Sequence, residues 1–159
     1  MWEAIVIIAI FIIAVAWSLV RINRVPNIMS FREAMDLTEL PIVTFYISEK
    51  KLNFLLDTGA NASIIDKNSM EGLTYNKTNC VRPITGMEGN PIESPVVEME
   101  LSYRDNVYKE EFQVVDMSAA FGAIKQESGV VLNGILGNSF FTKYRYVLDF
   151  KDLIAYSKK

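Results

Sequence analysis

The stretch Phe54-Leu55-Leu56-Asp57-Thr58-Gly59-Ala60-Asn61-Ala62-Ser63 holds the residues of this chain best suited to chemistry. An apolar run delivers one carboxylate, and a small hydroxyl residue and a glycine follow at once. An apolar strand would fix Asp57 on a rigid element beside a core. Gly59 permits a tight turn and close backbone approach, and Thr58 can hydrogen-bond locally to hold that turn. A carboxylate so mounted can accept or donate a proton at a reacting group. The same tripeptide also serves as a plain turn after a strand, so its meaning depends on the rest of the chain.

Composition narrows the choice. The 159 residues include one cysteine, Cys80, and no histidine. That excludes Ser-His-Asp and Cys-His catalysis and the usual zinc sites. Hydrolytic chemistry would have to run on carboxylates, hydroxyls or lysines, with no metal and no cofactor. A net charge of -3 gives no electrostatic reason to expect nucleic-acid binding.

The elements that must carry Asp57 read as strands. Ile42 to Ile47 is β-branched and aromatic, Ser48 to Lys51 is a polar turn, and Leu52 to Leu56 is a second apolar run. The two form a hairpin that ends in Asp57. Further strands are expected at Ser63 to Ile65, Val81 to Thr85, Ile92 to Tyr103, Val107 to Val115, Val130 to Leu136, Tyr146 to Phe150 and Leu153 to Tyr156. A turn or two of helix is expected from Asn138 and near Lys67. Ser30 and Glu33 have capping-box spacing ahead of a short helix from Phe31 to about Thr38. Short strands with frequent turns predict an all-β sandwich or barrel.

Two downstream segments stand in order behind Asp57. Ile84-Thr85-Gly86-Met87-Glu88-Gly89-Asn90-Pro91 sets paired glycines between strand-like runs and suits the tip of a mobile hairpin. Gly134-Ile135-Leu136-Gly137 closes a strand, and a short helix carrying Phe140 and Phe141 follows. This succession resembles the retropepsin-like (retroviral-type) aspartic proteases, most of all their single-domain bacterial relatives, over roughly residues 40 to 157. The resemblance implies a closed acid-protease barrel with one short C-terminal helix. It also implies a catalytic loop of Asp57, Thr58 and Gly59, and a substrate-covering flap at Gly86, Met87 and Glu88. Ile135, Leu136 and Gly137 match the element that packs beneath the loop. The segment from Asp116 to Asn133 is long for this family. Its Ala119-Ala120-Phe121 is compatible with helix.

The chain has one Asp-Thr-Gly. Asp36, Asp66, Asp116, Asp149 and Asp152 lack that setting and read as solvated or capping residues. By resemblance, the active form is a homodimer pairing Asp57 with its twin and acting on a peptide or protein substrate. Two rival readings remain open: an inactive binding or scaffold domain of the same fold, and an unrelated β-sandwich interaction protein.

Residues 2–20 carry only Glu3 as a charge. A helix of about 20 residues spans a hydrocarbon core of about 30 Å. Trp2 and Trp17 sit near its ends, where such rings favour the interface. Arg21, Arg24 and Arg32 follow the segment and none precedes it. The positive-inside rule then leaves the C-terminal part cytoplasmic. Ala14-Val15-Ala16 resembles a signal-peptidase site, but Glu3 replaces the basic n-region such a peptide needs. The expected organisation is a transmembrane helix over 1–21, a connector with a short helix over 22–40, and the barrel domain over 41–159.

Overall fold

The computed structural model describes residues 28–85 and 91–158. The transmembrane segment expected over 1–21 and the flap tip Gly86, Met87 and Glu88 lie outside the described residues. Among the described residues, no helix is long and apolar enough to cross a membrane.

The described chain opens with helix α1, Phe31–Thr38. Its capping box is complete. The Ser30 hydroxyl accepts from the Glu33 N–H, and the Glu33 carboxylate accepts from the Ser30 N–H at 2.9 Å. That backbone N–H, then the hydroxyl, holds the Glu33 carboxyl below the usual range. Met29, Phe31 and Ala34 are buried against the barrel.

Nine strands follow. They are β1 (Ile42–Ile47), β2 (Lys50–Leu56), β3 (Ser63–Asp66), β4 (Asn76–Thr85), β5 (Pro91–Tyr103), β6 (Asn106–Val115), β7 (Gly134–Leu136), β8 (Tyr146–Asp149) and β9 (Ile154–Ser157). The β1–β2 turn is tighter than the sequence suggests. Ser48 and Glu49 take φ of 50° and 66°, the left-handed pair of a two-residue hairpin turn, so Lys50 and Lys51 already belong to the strand. The sheet runs β1-β2-β7-β3-β6-β5, and β5 returns to β1 through the pair Tyr46 and Ser102. The result is a closed six-stranded barrel, as expected. β4 adds to the outer stretch of β5, and β8 pairs with β9 in a separate hairpin.

Strand alternation sends two apolar sets in opposite directions. Inside the barrel, Phe45, Phe54, Leu56, Ile65, Phe112 and Leu136 form the main core. Phe45 meets Phe54 and Phe140 edge-on, with both centroid separations 6.0 Å, the geometry aromatic rings prefer. Tyr146 joins this cluster. Its hydroxyl has no partner among the described residues, and burial pushes its pKa far up, so the phenol stays neutral.

The helix count differs from expectation. Beside α3 (Asn138–Tyr144), which is the expected C-terminal helix, the long β6–β7 connection holds α2, Ser118–Ser128. Only Phe121 of α2 is buried. A helix that buries one side chain leaves no periodic apolar stripe to read in the sequence. Asp116 starts it by accepting from the Ser118 N–H at 3.0 Å, and Gly129 (φ 76°) ends it. The Ser118 hydroxyl, then its N–H, keeps the exposed Asp116 carboxyl below the usual range.

Candidate active site

β7 occupies the slot between β2, to which it is parallel, and β3, to which it is antiparallel. That insertion positions Asp57. Leu56 lies beside Leu136 in register, and the Asp57 N–H donates to the Leu136 carbonyl at 3.0 Å. The chain then turns back, the Ala60 N–H donating to the Asp57 carbonyl at 3.2 Å. Asp57 is half-buried, while Thr58 and Gly59 are exposed. One carboxylate oxygen of Asp57 accepts the Gly59 N–H at 2.8 Å, and the other has no partner among the described residues. Asp57 therefore offers an open oxygen at a solvent-facing edge on a fixed backbone.

Thr58 departs from expectation. Its hydroxyl makes no hydrogen bond among the described residues, and the turn is held by the Asp57 carboxylate instead. The segment Ile135, Leu136 and Gly137 adjoins the loop: the Leu136 carbonyl accepts from the Asp57 N–H, and the Gly137 N–H donates to the Ser63 hydroxyl. Leu136 is fully buried, and Gly137 begins the link to α3. The two glycines flanking this pair have a steric reason. A Cβ at Gly134 would lie 2.5 Å from the Ile64 carbonyl oxygen and 2.6 Å from the Phe54 ring. β7 can enter its slot only without that atom.

A buried polar cluster ties the loop to its surroundings, and the sequence reading missed it. The Ser63 hydroxyl accepts the Gly137 N–H at 3.2 Å and donates to Glu110 Oε1 at 2.9 Å. The Ser139 hydroxyl donates to the same oxygen at 2.9 Å. Lys143 approaches the other oxygen at 3.7 Å. Glu110 is only 2% exposed. A signal for it exists: Tyr108, Glu110 and Phe112 alternate, so Glu110 must share the inward face of β6 with two aromatic residues. Replacing Glu110 by Ala strands the buried Ser63 hydroxyl and is expected to cost about 2 kcal/mol of stability. Gln should retain most of it. Urea unfolding of the two variants checks both expectations.

The other aspartates lie elsewhere. Asp66 is buried at the end of β3, where it accepts the Met117 N–H at 2.9 Å. Asp149 accepts the Lys151 and Asp152 N–H groups, both at 2.9 Å, in the β8–β9 turn. Asp149 caps its turn as the sequence suggests, whereas Asp66 is buried and not solvated, and its carboxylate reaches Met117 without capping the short helix it enters. Among the described residues no cluster of ligating groups could hold a metal.

Comparison with known proteins agrees with this geometry. The fold matches the retroviral protease-like domain of a Leishmania major protein, with TM-score 0.54 and 16% identity. That match covers 76% of this chain and 89% of the other. An inhibitor-bound EIAV protease is a weaker match, with TM-score 0.47 and 20% identity over 68% of this chain and 90% of that one. No curated protein matches the sequence. The barrel is thus of the retroviral-protease type. Residues 43–140, well over half of the chain, match a family described as aspartyl protease, and the chain belongs to that family.

Proposed function

We propose that this protein is a membrane-anchored aspartic endopeptidase, active as a homodimer. The observation that carries the proposal is the Asp57 loop, which keeps an intact Asp-Thr-Gly on the β2–β7 ledge with one carboxylate oxygen open. One chain brings one such loop, and a twofold axis would supply the second.

In this reading a water sits between the two Asp57 carboxyls. Two like charges so close cannot both ionise, so the pair keeps one proton. The ionised carboxylate takes a proton from the water as its oxygen attacks the scissile carbonyl carbon. The protonated carboxyl gives its proton to the carbonyl oxygen, forming a neutral tetrahedral diol. Collapse of the diol breaks the C–N bond. The amine nitrogen receives a proton, and the dyad returns to its starting state. Gly86, Met87 and Glu88 would cover the bound peptide. Ile135, Leu136 and Gly137 would support the loop from below.

The β8–β9 hairpin suits the contact between copies. Ile154 and Tyr156 are 46% and 42% exposed, on a two-stranded sheet with open edges, which invite pairing with another chain. Residues 2–20 would hold both copies in one bilayer and raise their effective concentration, with the barrel on the cytoplasmic side.

The test is dilution of the full chain in detergent micelles with a quenched peptide substrate. Where the dimer is mostly dissociated, activity per chain should fall about tenfold for each tenfold dilution. Reconstitution in a bilayer at constant surface density should remove that dependence. Activity per chain that stays constant on dilution down to concentrations where light scattering finds only monomer would defeat the dimer reading.

A further inference from the structure

Barrel strands send alternate residues inward and outward, and the outward set of this barrel is unusual beside the candidate site. Leu55 lies next to Ile135, and Ile135 lies next to Ile64, in register across β2, β7 and β3. All three belong to a second apolar cluster, separate from the barrel core. An outward face needs a cover if it is apolar. Ile64 and Ile135 are covered, at 9% and 8% exposure. The same cluster contains Phe121 of α2, itself 7% exposed.

The cluster has two ends. One lies under α2. The other reaches the reacting centre, because Leu55 stands two residues before Asp57 and Ala60 three after it. Both belong to the cluster and remain half-buried. Ile84, the last residue but one of β4 before the flap tip, belongs to it as well. A peptide stretched past Asp57 would lay a side chain on the open end, and what limits its reach is the covered end. Residues of α2 near Phe121, such as Ala119, Ala120, Gly122 and Ala123, are exposed. Of this helix, only Phe121 is buried, with Ile124 packed partly against the same cluster.

We infer that Phe121 sets the size of the substrate side chain accepted beside the scissile bond, closing an apolar pocket whose floor is Leu55, Ile135 and Ile64. The inference rests on the endopeptidase reading above and names the preference of that same site, for compact aliphatic over large aromatic side chains.

The experiment compares the full chain with Phe121→Ala, Phe121→Leu and Phe121→Trp. Two peptide series are used, each differing only in an Ala, Leu or Phe next to the scissile position. One series is cleavable and the other carries an uncleavable reduced amide. Phe121→Ala should raise the ratio of kcat/KM for the Phe peptide over the Ala peptide about tenfold or more, the scale on which an apolar pocket discriminates. Phe121→Leu, which keeps most of the volume and the fold, should raise it about threefold, and Phe121→Trp should lower it. The same ratios in the folded Leu variant as in the unmodified chain would overturn the inference. The reduced-amide affinities separate the two readings. If no peptide is cleaved but the affinities shift with residue 121 in this order, the pocket stands and hydrolysis falls. If cleavage is lost on Asp57→Asn yet the ratios ignore residue 121, hydrolysis stands and the pocket falls. No binding of either series overturns both.

Discussion

Asp57→Asn is expected to abolish peptide hydrolysis, lowering kcat by at least about 10³-fold, with the barrel left folded. On the proposed reading, a dimer of this variant would lack both carboxyls, so neither a base for the water nor an acid for the carbonyl would remain. The structural cost is small because the backbone role of Asp57 survives. Its N–H still donates to Leu136, its carbonyl still accepts from Ala60, and an amide oxygen can still accept the Gly59 N–H. Exchange of one exposed-edge carboxylate for an amide should move stability by less than about 1 kcal/mol. Steady-state cleavage assays beside a circular-dichroism melt check both halves. A folded Asn variant with unchanged turnover would remove Asp57 from the chemistry and favour a contaminating protease.

The elements nearest Asp57 were legible because local and tertiary signals agree there. Ser30 and Glu33 announce α1 through their own hydrogen bonds. The β1–β2 pair reads as apolar runs around a polar turn. Gly134 and Gly137 mark places where backbone or ring must approach closely. The illegible parts are those where distant partners override local preference. Asn76 to Cys80 has little strand character, yet it extends β4, because Asn76 and Lys77 find partners in Glu98 and Val97 of β5. Val130 to Asn133 has strand character but joins no ladder. The Asn53 side chain donates to the Val131 carbonyl, and the Asn133 side chain accepts the Asn53 N–H. Beside these amides, the Asn133 N–H donates to the Asn53 carbonyl at 2.9 Å and its carbonyl accepts from the Asp66 N–H at 2.8 Å, so that, among the described residues, only those of this stretch before Asn133 lack backbone partners on β2 and β3. Glu110 escaped notice because its neighbours Lys109 and Glu111 are charged, although the alternation around it gives its inward direction. The sequence could propose Asp57 and the segment beneath it. It could not propose Phe121, whose relevance depends on its ring joining the apolar cluster that holds Ile64 and Ile135.

Gly137→Ala is expected to destabilise the protein by about 3 kcal/mol and to reduce activity further than the loss of folded protein explains. The sign is not the default one. Gly137 has φ -97° and ψ -171°, extended backbone that alanine adopts freely. On conformational entropy alone the change should stabilise by about 0.4–1 kcal/mol. Contact decides otherwise. The added Cβ would lie 2.5 Å from the Ala62 carbonyl oxygen, 2.7 Å from its carbon and 2.8 Å from the Ala60 oxygen. All three are backbone atoms, so no side chain can swing aside and the loop itself must shift. That loop is already engaged. The Asn138 N–H donates to Ala60 at 2.7 Å, the Ser139 N–H to Asn61 at 3.3 Å, and the Gly137 N–H to Ser63. Displacement weakens these bonds and moves the segment that turns back from Asp57. A shift of about 1 Å at a reacting group can cost about 10²-fold in rate. Gly122→Ala is the matched control. It lies in α2 with nothing within 4 Å of the added atom, so it should stabilise by about 0.5–1 kcal/mol and leave kcat unchanged. Opposite signs for the two glycines in chemical unfolding would tie the effect at Gly137 to its contacts, and equal signs would refute the close approach of β7 to the Asp57 loop.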